Sequence, residues 1–150
     1  MSRINQSRRR FLQHAARVSA GVVGLPYIIR STALGAGGAV APSERITLGC
    51  IGVGSQGSGN MNGFLSKKDA QVIAVCDLDK GRLNGAKATV DKKYGGAGCA
   101  SYSDFRELIA RADIDALSLA VPDHWHSIPV VLGAQAGKDM YGEKPLARTI

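Results

Sequence analysis

The chain has 150 residues, of which 45% are hydrophobic, 21% charged and 5% aromatic, and its formal net charge is +7. This length gives one ordinary domain with a sizeable core. Residues 1–45 contain seven arginines and one acidic residue, whereas residues 46–150 contain twelve basic and eleven acidic side chains. The positive charge therefore belongs to a leader, and the charge distribution argues against a nucleic-acid partner.

Residues 1–42 have the order of regions that is typical of an export signal. Ser-Arg-Arg-Arg-Phe-Leu at 7–12 precedes an apolar stretch at 18–29 and small residues at 33–41. The apolar stretch is too short to span a hydrocarbon core, which needs roughly 20 residues. The arginine pair before Phe-Leu resembles the twin-arginine signal; the alternatives are an ordinary secretory signal and a basic amphipathic helix. We expect export through the twin-arginine machinery, to the periplasm or another exported location, with the mature fold beginning near Ser43.

Strand-like and helix-like segments alternate from residue 46 onward. In chain order we predict a strand at 46–51, a helix at 58–65, a strand at 71–77, a helix at 78–94, a strand at 98–102, a helix at 103–111, a strand at 115–121, a helix at 127–137 and a strand at 138–145. Such alternation indicates right-handed crossovers and a parallel sheet. Residues 43–150 are therefore predicted to form a doubly wound α/β domain.

The three cysteines, Cys50, Cys76 and Cys99, have no Cys-x-x-Cys spacing. Cys50 and Cys76 each lie inside an apolar run that is predicted to be a strand. We interpret the cysteines as buried small hydrophobic residues rather than as disulfide partners or metal ligands.

A glycine-rich loop follows the first predicted strand directly and precedes a predicted helix. It consists of Gly52, Val53, Gly54, Ser55, Gln56 and Gly57. The first glycine permits a tight turn, the second lets the backbone approach a pyrophosphate, and the third lets helix and strand pack closely. The start of the helix then offers free N–H groups and a partial positive charge to phosphates. The pattern predicts a dinucleotide-binding loop.

An acidic residue ends the second predicted strand, twenty-five residues beyond Gly52. This residue, Asp77, is near the spacing expected for the carboxylate that binds the adenosine ribose hydroxyls. A carboxylate there would repel a 2′-phosphate and therefore favours NAD, although Lys80 and Arg82 leave NADP open. The alternative interpretation is a glycine turn with Asp77 as a solvated residue at the strand end.

The segment V-P-D-H-W-H-S follows the fourth predicted strand, at the sheet edge where ligands bind in open α/β folds. Pro122 restrains the preceding residue to an extended shape, and Asp123 is placed to cap the next helix. His124 and His126 are two residues apart, so in a helix they point to different sides and do not easily share a metal ion. We therefore predict no metal site, and we expect His124 to be a surface or capping residue.

The last predicted strand runs into Gly-Glu-Lys-Pro at 142–145. At a strand end in a crevice, Lys144 could present a cation to a substrate hydroxyl or carbonyl. From composition alone, a solvated pair of Glu143 and Lys144 in a turn is the favoured interpretation.

The motifs G-V-G-S-Q-G, V-C-D, A-V-P-D-H-W-H and A-G-K-D-M-Y-G-E-K-P-L-A occur in this order over residues 46–150. Together they closely resemble the glucose–fructose oxidoreductase/inositol dehydrogenase (Gfo/Idh/MocA) family. The resemblance implies a Rossmann-type NAD(P)-binding domain, in which Lys144 is the catalytic lysine that orients a substrate hydroxyl. It also implies that Glu143 and Pro145 complete the turn near the nicotinamide.

The resemblance assigns further roles outside this turn. Pro122, Asp123 and His126 match the family's Thr-Pro-x-x-x-His element beside the cofactor, which implies that His126 takes part in cofactor binding and catalysis. Val121 stands where a threonine is usual, so a hydroxyl contact is expected to be missing. The positions that match the family's other cofactor residues are Gly52, Gly54, Gly57 and Asp77.

The family implies hydride transfer between nicotinamide and the carbon of a sugar or cyclitol hydroxyl. We therefore expect an exported NAD(P)-dependent oxidoreductase whose full-length form is a homo-oligomer. Two alternatives stay open: a glycosidase of the same family that retains NAD, and a non-catalytic nucleotide- or sugar-binding protein. Family members also have a second α/β domain, so we expect the 150-residue chain to be a fragment or a truncated product, incomplete at its C-terminal end and inactive alone.

Overall fold

The computed structural model describes residues 40–147. Most of the predicted leader, with its arginine pair, lies in residues 1–39 and therefore outside the described residues. After a 3-10 turn at Pro42–Glu44, the described elements are β1 (Ile46–Ile51), α1 (Ser55–Leu65), β2 (Ala70–Cys76), α2 (Lys80–Tyr94), β3 (Ala100–Tyr102), α3 (Phe105–Ile109), β4 (Ala116–Leu119), α4 (Ser127–Gln135) and β5 (Asp139–Gly142). No helix in this part of the chain is both long and apolar enough to cross a membrane.

The strands form one parallel sheet in the order β3-β2-β1-β4-β5. The chain builds outward from β1 to β3 and then crosses to the other side of β1 to form β4. The loops that follow β1 and β4 consequently separate, which creates the switch point where open α/β sheets bind ligands. The predicted doubly wound, Rossmann-type architecture is confirmed.

Each face of the sheet has its own hydrophobic core. Helices α1 and α2 cover one face, where Met61 and Val90 share a core with Leu48. Helices α3 and α4 cover the other face, where the fully buried Leu108 shares a core with Leu117. Because helices pack on both faces, the strands are mostly apolar and the polar residues concentrate beyond the strand ends.

Helix α1 begins at Ser55, three residues earlier than predicted. Its first turns contain Gly57 and Gly59, and the low helix propensity of glycine concealed the start in the sequence. The helix is stabilised by the burial of Met61 and Leu65 and not by the intrinsic helix propensity of its residues. The glycine-rich loop therefore passes directly into a helix N-terminus.

Helices α2 and α3 both begin two residues later than predicted, after aspartate caps. Asp79 accepts a hydrogen bond from the Arg82 N–H at 2.9 Å. Asp104 accepts one from the Arg106 N–H at 2.9 Å. The cap positions set the helix starts, because a capping residue itself has a non-helical backbone.

Asp123 does not cap helix α4, contrary to our prediction. Asp123–Trp125 form a separate 3-10 turn without a side-chain capping bond, and the α-helix starts only at Ser127. The predicted helix start at residue 127 is confirmed, and the cap position is therefore His126, three residues beyond Asp123. The prediction that His124 and His126 point to different sides is confirmed, because His124 is exposed and His126 is buried.

All three cysteines are buried and form no disulfide, as predicted. Burial raises the pKa of Cys50 and of Cys76 to about 12, and that of Cys99 to about 11. These thiols therefore remain protonated at neutral pH and do not act as thiolate nucleophiles.

Candidate functional site

A cavity of about 600 Å³ lies at the carboxyl edge of the sheet, beyond the ends of β1, β2 and β4. Its volume is that of a small-molecule site. Seven of the residues predicted to bind a cofactor line it: Gly52, Gly54, Ser55, Gln56, Gly57, Asp77 and Pro122. The fold therefore brings together residues that are up to seventy positions apart in the sequence.

Gly52 and Gly57 are required by the backbone geometry of the loop. Gly52 has a φ of 78°, a conformation that favours glycine, and a Cβ there would overlap the carbonyl oxygen of Ala120. A Cβ on Gly57 would overlap the carbonyl oxygen of Gly52. Helix α1 therefore packs directly against the loop, as the third glycine of the motif predicted.

The middle glycine presents an open backbone to the cavity. A Cβ on Gly54 would contact only the guanidinium of Arg82, at 3.3 Å from Nη1. The N–H groups of Ser55, Gln56 and Gly57 lie in the first turn of α1 and have no carbonyl partner within the helix. An accessible loop, unbonded N–H groups and a neighbouring cation together fit the pyrophosphate of a dinucleotide.

Asp77 ties the end of β2 to the glycine loop. Its Oδ2 accepts a hydrogen bond from the Val53 N–H at 2.9 Å, and its Oδ1 accepts one from the Asp79 N–H at 2.9 Å. Each carboxylate oxygen keeps a second lone pair for a ligand hydroxyl. Only 2% of Val53 is exposed, so this residue contributes its backbone to the loop and its side chain to the core.

An aromatic wall, which our sequence interpretation missed, forms another side of the cavity. Phe105 and Trp125 meet edge to face, with ring centroids 6.4 Å apart. The guanidinium of Arg106 lies 4.7 Å from the Phe105 ring centroid, and the exposed side chain of Leu78 extends the apolar surface. Such a wall suits a planar aromatic base. The signal in the sequence was the position of both aromatic residues shortly after predicted strands.

Glu143 and Lys144 lie immediately beyond β5, which ends at Gly142 and is shorter than predicted. The Glu143 N–H donates a hydrogen bond to the Leu119 carbonyl oxygen at 2.9 Å, which anchors this turn to the end of β4. Lys144 is exposed. The turn does not line the cavity but stands beside it at the same edge of the sheet.

The Glu143 side chain joins this turn to helix α1. Its Oε1 accepts hydrogen bonds from Asn60 Nδ2 at 2.9 Å and from Gln56 Nε2 at 3.1 Å. These two bonds, followed by the nearby charges of Lys144 and His126, lower the pKa of the Glu143 carboxyl. Gln56 also lines the cavity, so it connects the cofactor loop with the Glu-Lys-Pro turn. Asn60 was not among the residues predicted from the sequence.

The two histidines differ in their access to the cavity. His126 is 1% exposed, and its Nδ1 has no hydrogen-bond partner among the described residues. His124 is a surface residue, as predicted, but it also lines the cavity. Asp123 is exposed and lies outside the cavity lining. Within residues 40–147, no group of three or more His, Cys, Asp or Glu side chains is placed to hold a metal ion.

Residues 46–150 match the model of the Gfo/Idh/MocA oxidoreductase family, whose members have an NAD-binding Rossmann fold. The match covers more than half of the chain and agrees with the sheet order, the glycine loop and the cavity. The chain belongs to this family, and its cofactor is NAD.

Curated relatives of the chain include glycosyl hydrolase family 109 proteins. The chain is 32% identical over 153 residues to a glycosyl hydrolase family 109 protein of Solibacter usitatus, covering 96% of this chain and 34% of that protein. It is 29% identical over 160 residues to the alpha-N-acetylgalactosaminidase of Shewanella oneidensis, and the alignment covers 97% of this chain and 35% of that protein. The chain thus spans about a third of the length of these curated relatives.

Among solved structures, the chain resembles a myo-inositol dehydrogenase of Lactobacillus casei in complex with NAD(H) and myo-inositol. The TM-score is 0.62 at 26% identity, over 70% of this chain and 30% of that chain. The similarity agrees with the nucleotide-binding architecture described above.

Proposed function

We propose that the chain is the nucleotide-binding part of an enzyme that transfers a hydride between NAD and the hydroxyl-bearing carbon of a sugar or cyclitol. The observation that carries this proposal is the connection between the cavity and the Glu-Lys-Pro turn. Gln56 lines the cavity and donates to Glu143 at 3.1 Å, next to Lys144. The myo-inositol bound to the similar dehydrogenase supports the substrate class.

Lys144 and His126 are the proposed catalytic side chains. NAD, when bound, supplies the hydride acceptor. Lys144 Nζ donates a hydrogen bond to the substrate hydroxyl and stabilises the charge that develops on this oxygen as its proton passes to a general base of the complete protein, for which His126 is the candidate within this chain. His126 has a buried Nδ1 without a partner in the described residues and provides a second group that can hold a proton.

Asp77 is the proposed determinant of NAD over NADP. Its carboxylate lines the cavity where the ribose hydroxyls would bind and would repel a 2′-phosphate. The Arg82 guanidinium lies over Gly54, and we assign it to the pyrophosphate.

A second candidate function is a glycosidase that retains NAD and oxidises its sugar only transiently. The names of the curated relatives favour it, and their alignments cover 96–97% of this chain and therefore extend well before residue 46. Both candidates begin with removal of a hydride from a sugar carbon, so the same residues of this chain would serve either one. A non-catalytic binding protein is the third alternative, and it requires Lys144 to be dispensable.

We also propose export in the folded state through the twin-arginine route, with NAD already bound, followed by assembly into a homo-oligomer. The support is the pair Arg8 and Arg9 before Phe-Leu, together with the need for a retained cofactor outside the cytoplasm. Cell fractionation tests export: the double variant Arg8→Lys/Arg9→Lys should stay in the cytoplasm, and an unchanged distribution would contradict the route.

The test of the reaction uses the complete protein, as its gene encodes it, purified with bound NAD. Free sugars, cyclitols and aryl glycosides are added in turn while the absorbance of reduced nicotinamide and the release of the aryl group are followed. Net reduction with a free sugar or cyclitol is expected. Release of the aryl group without net reduction would replace the first candidate with the second. Neither net reduction nor release of the aryl group with any compound would contradict both.

A further inference from the structure

Three polar side chains form a hydrogen-bonded cluster between helix α1 and the Glu-Lys-Pro turn. Asn60 Nδ2 and Gln56 Nε2 both donate to Glu143 Oε1, at 2.9 Å and 3.1 Å, and Gln56 Nε2 also lies 3.2 Å from Asn60 Oδ1. Asn60 and Glu143 are half-buried. The cluster joins positions 83 residues apart in the sequence.

The chemistry of the cluster favours an ionised Glu143. Two amide groups donate to one carboxylate oxygen, and hydrogen bonds to a charged acceptor are roughly twice as strong as neutral ones. The resulting fall in the pKa of Glu143 means that the carboxylate persists through the neutral and mildly acidic range. At neutral and mildly acidic pH, the Glu143 carboxylate therefore keeps its hydrogen bonds to Asn60 and Gln56 of α1.

The cluster also fixes the turn at a second point. The Glu143 backbone N–H is bound to the Leu119 carbonyl oxygen of β4, and its side chain is bound to α1. Lys144 is the next residue. Helix α1 begins at the glycine loop, so the side-chain bonds connect the position of Lys144 with the loop that holds the cofactor.

We propose that Asn60, assisted by Gln56, is a positioning residue that sets Lys144 relative to bound NAD by holding Glu143. This inference rests on the proposed function of Lys144. The alternative role of Asn60 is a structural tie that contributes only to folding.

The sharpest perturbation is Asn60→Asp, which keeps the side-chain shape and replaces a donor with a carboxylate next to Glu143. Repulsion between the two carboxylates should release the turn and lower kcat by about tenfold to a hundredfold, the cost of a small misplacement of a catalytic group. The matched control is Asn62→Asp, the same change two positions along α1, where the side chain is exposed. The control should retain wild-type kcat.

A reciprocal exchange provides the rescue. In the double variant Asn60→Asp/Glu143→Gln, one amide and one carboxylate again face each other with donor and acceptor reversed, and most of the lost kcat should return. In Asn60→Asp alone, activity relative to wild type should increase as the pH falls, because protonation of one carboxyl lets it donate to the other. A purely structural tie predicts that kcat and thermal stability fall together, without this pH profile.

Hydrogen exchange of the complete protein gives a readout that does not depend on turnover. In Asn60→Asp, residues 138–147 should exchange faster by about tenfold, while the α1 peptide at 55–65 should be unchanged. If exchange at the turn and kcat both equal those of Asn62→Asp, the positioning role is overturned. If the wild-type protein transfers no hydride but the turn still loosens, the proposed function fails and the link between Asn60 and the turn stands.

Discussion

Gly57 is the residue at which the glycine loop tolerates the least change, because a Cβ there would overlap the carbonyl oxygen of Gly52. We predict that Gly57→Ala displaces the loop and abolishes measurable NAD binding. The measurement is the fluorescence of Trp125, the only tryptophan of the chain, during titration with NAD. Trp125 lines the cavity, so bound cofactor should change its emission.

The control for this prediction lies two residues further along the same helix. A Cβ on Gly59 has no atom within 4 Å, so Gly59→Ala should leave NAD affinity unchanged and stabilise α1 by up to about 1 kcal/mol. Equal NAD affinity in Gly57→Ala and Gly59→Ala would show that close packing at position 57 is not required for binding.

At the scale of residues, local patterns predicted the cofactor loop but not its connection with the Glu-Lys-Pro turn. Gly52, Gly57 and Asp77 have roles that short-range geometry dictates, so their spacing in the sequence was sufficient. Asn60 has a role only because Glu143 stands opposite it, 83 residues away. Nothing in the local sequence distinguishes it from the exposed Asn62, and only the folded arrangement separates the two.

At the scale of elements, the strands were predictable and the helix starts were less so. Strand β2 differs from its prediction by one residue at each end, because a buried parallel strand is marked by a continuous apolar run. Helix α1 was shortened in the prediction by its glycines, and α2 and α3 were lengthened because aspartate caps were counted as helix. The 3-10 turn after β4 was missed, since its short length leaves no periodic pattern.

The caps of α2 and α3 make these helices sensitive to acid. Accepting the Arg82 N–H lowers the pKa of Asp79, and accepting the Arg106 N–H lowers the pKa of Asp104. A carboxyl whose folded-state pKa is depressed stabilises the protein above its unfolded pKa, and this contribution is lost as the pH falls through the folded value. We therefore predict that the urea midpoint of the 150-residue chain decreases between about pH 4 and pH 2.

The double variant Asp79→Asn/Asp104→Asn isolates the contribution of the caps. Asparagine still accepts the capping hydrogen bond but does not titrate, so the variant should lose less of its urea midpoint over this pH range than the wild-type chain does. Equal losses in the two proteins would mean that the caps do not contribute to the acid sensitivity.

At the scale of the whole molecule, the sheet order explains why residues from distant parts of the sequence form one site. The loops after β1, β2 and β4 open at the same edge, and the turn after β5 follows beside them. The fold class and this edge were predictable from the alternation of strands and helices. The aromatic wall was not, because Phe105 follows β3 and Trp125 follows β4, and their rings meet only in the folded chain.

The chain spans about a third of the length of its curated relatives, and the proposed reaction is therefore tested on the complete protein. Residues 46–150 provide NAD binding. We assign to them one side of the proposed hydride transfer, which consists of the cofactor loop, Lys144 and His126. The dehydrogenase and glycosidase candidates share this side. Replacement of Lys144 therefore tests what the two candidates have in common.

The most direct measurement is the rate of nicotinamide reduction in a single turnover of the complete protein, compared between wild type and Lys144→Ala. The NAD content of both proteins is verified by equilibrium titration with NAD, so that a lost cofactor is not mistaken for lost chemistry. We predict a decrease of at least about a hundredfold in the rate, the usual loss when a group that assists proton transfer is removed, with NAD affinity retained. An unchanged rate in Lys144→Ala would contradict the catalytic role of Lys144 and assign the assistance of proton transfer to another group of the complete protein.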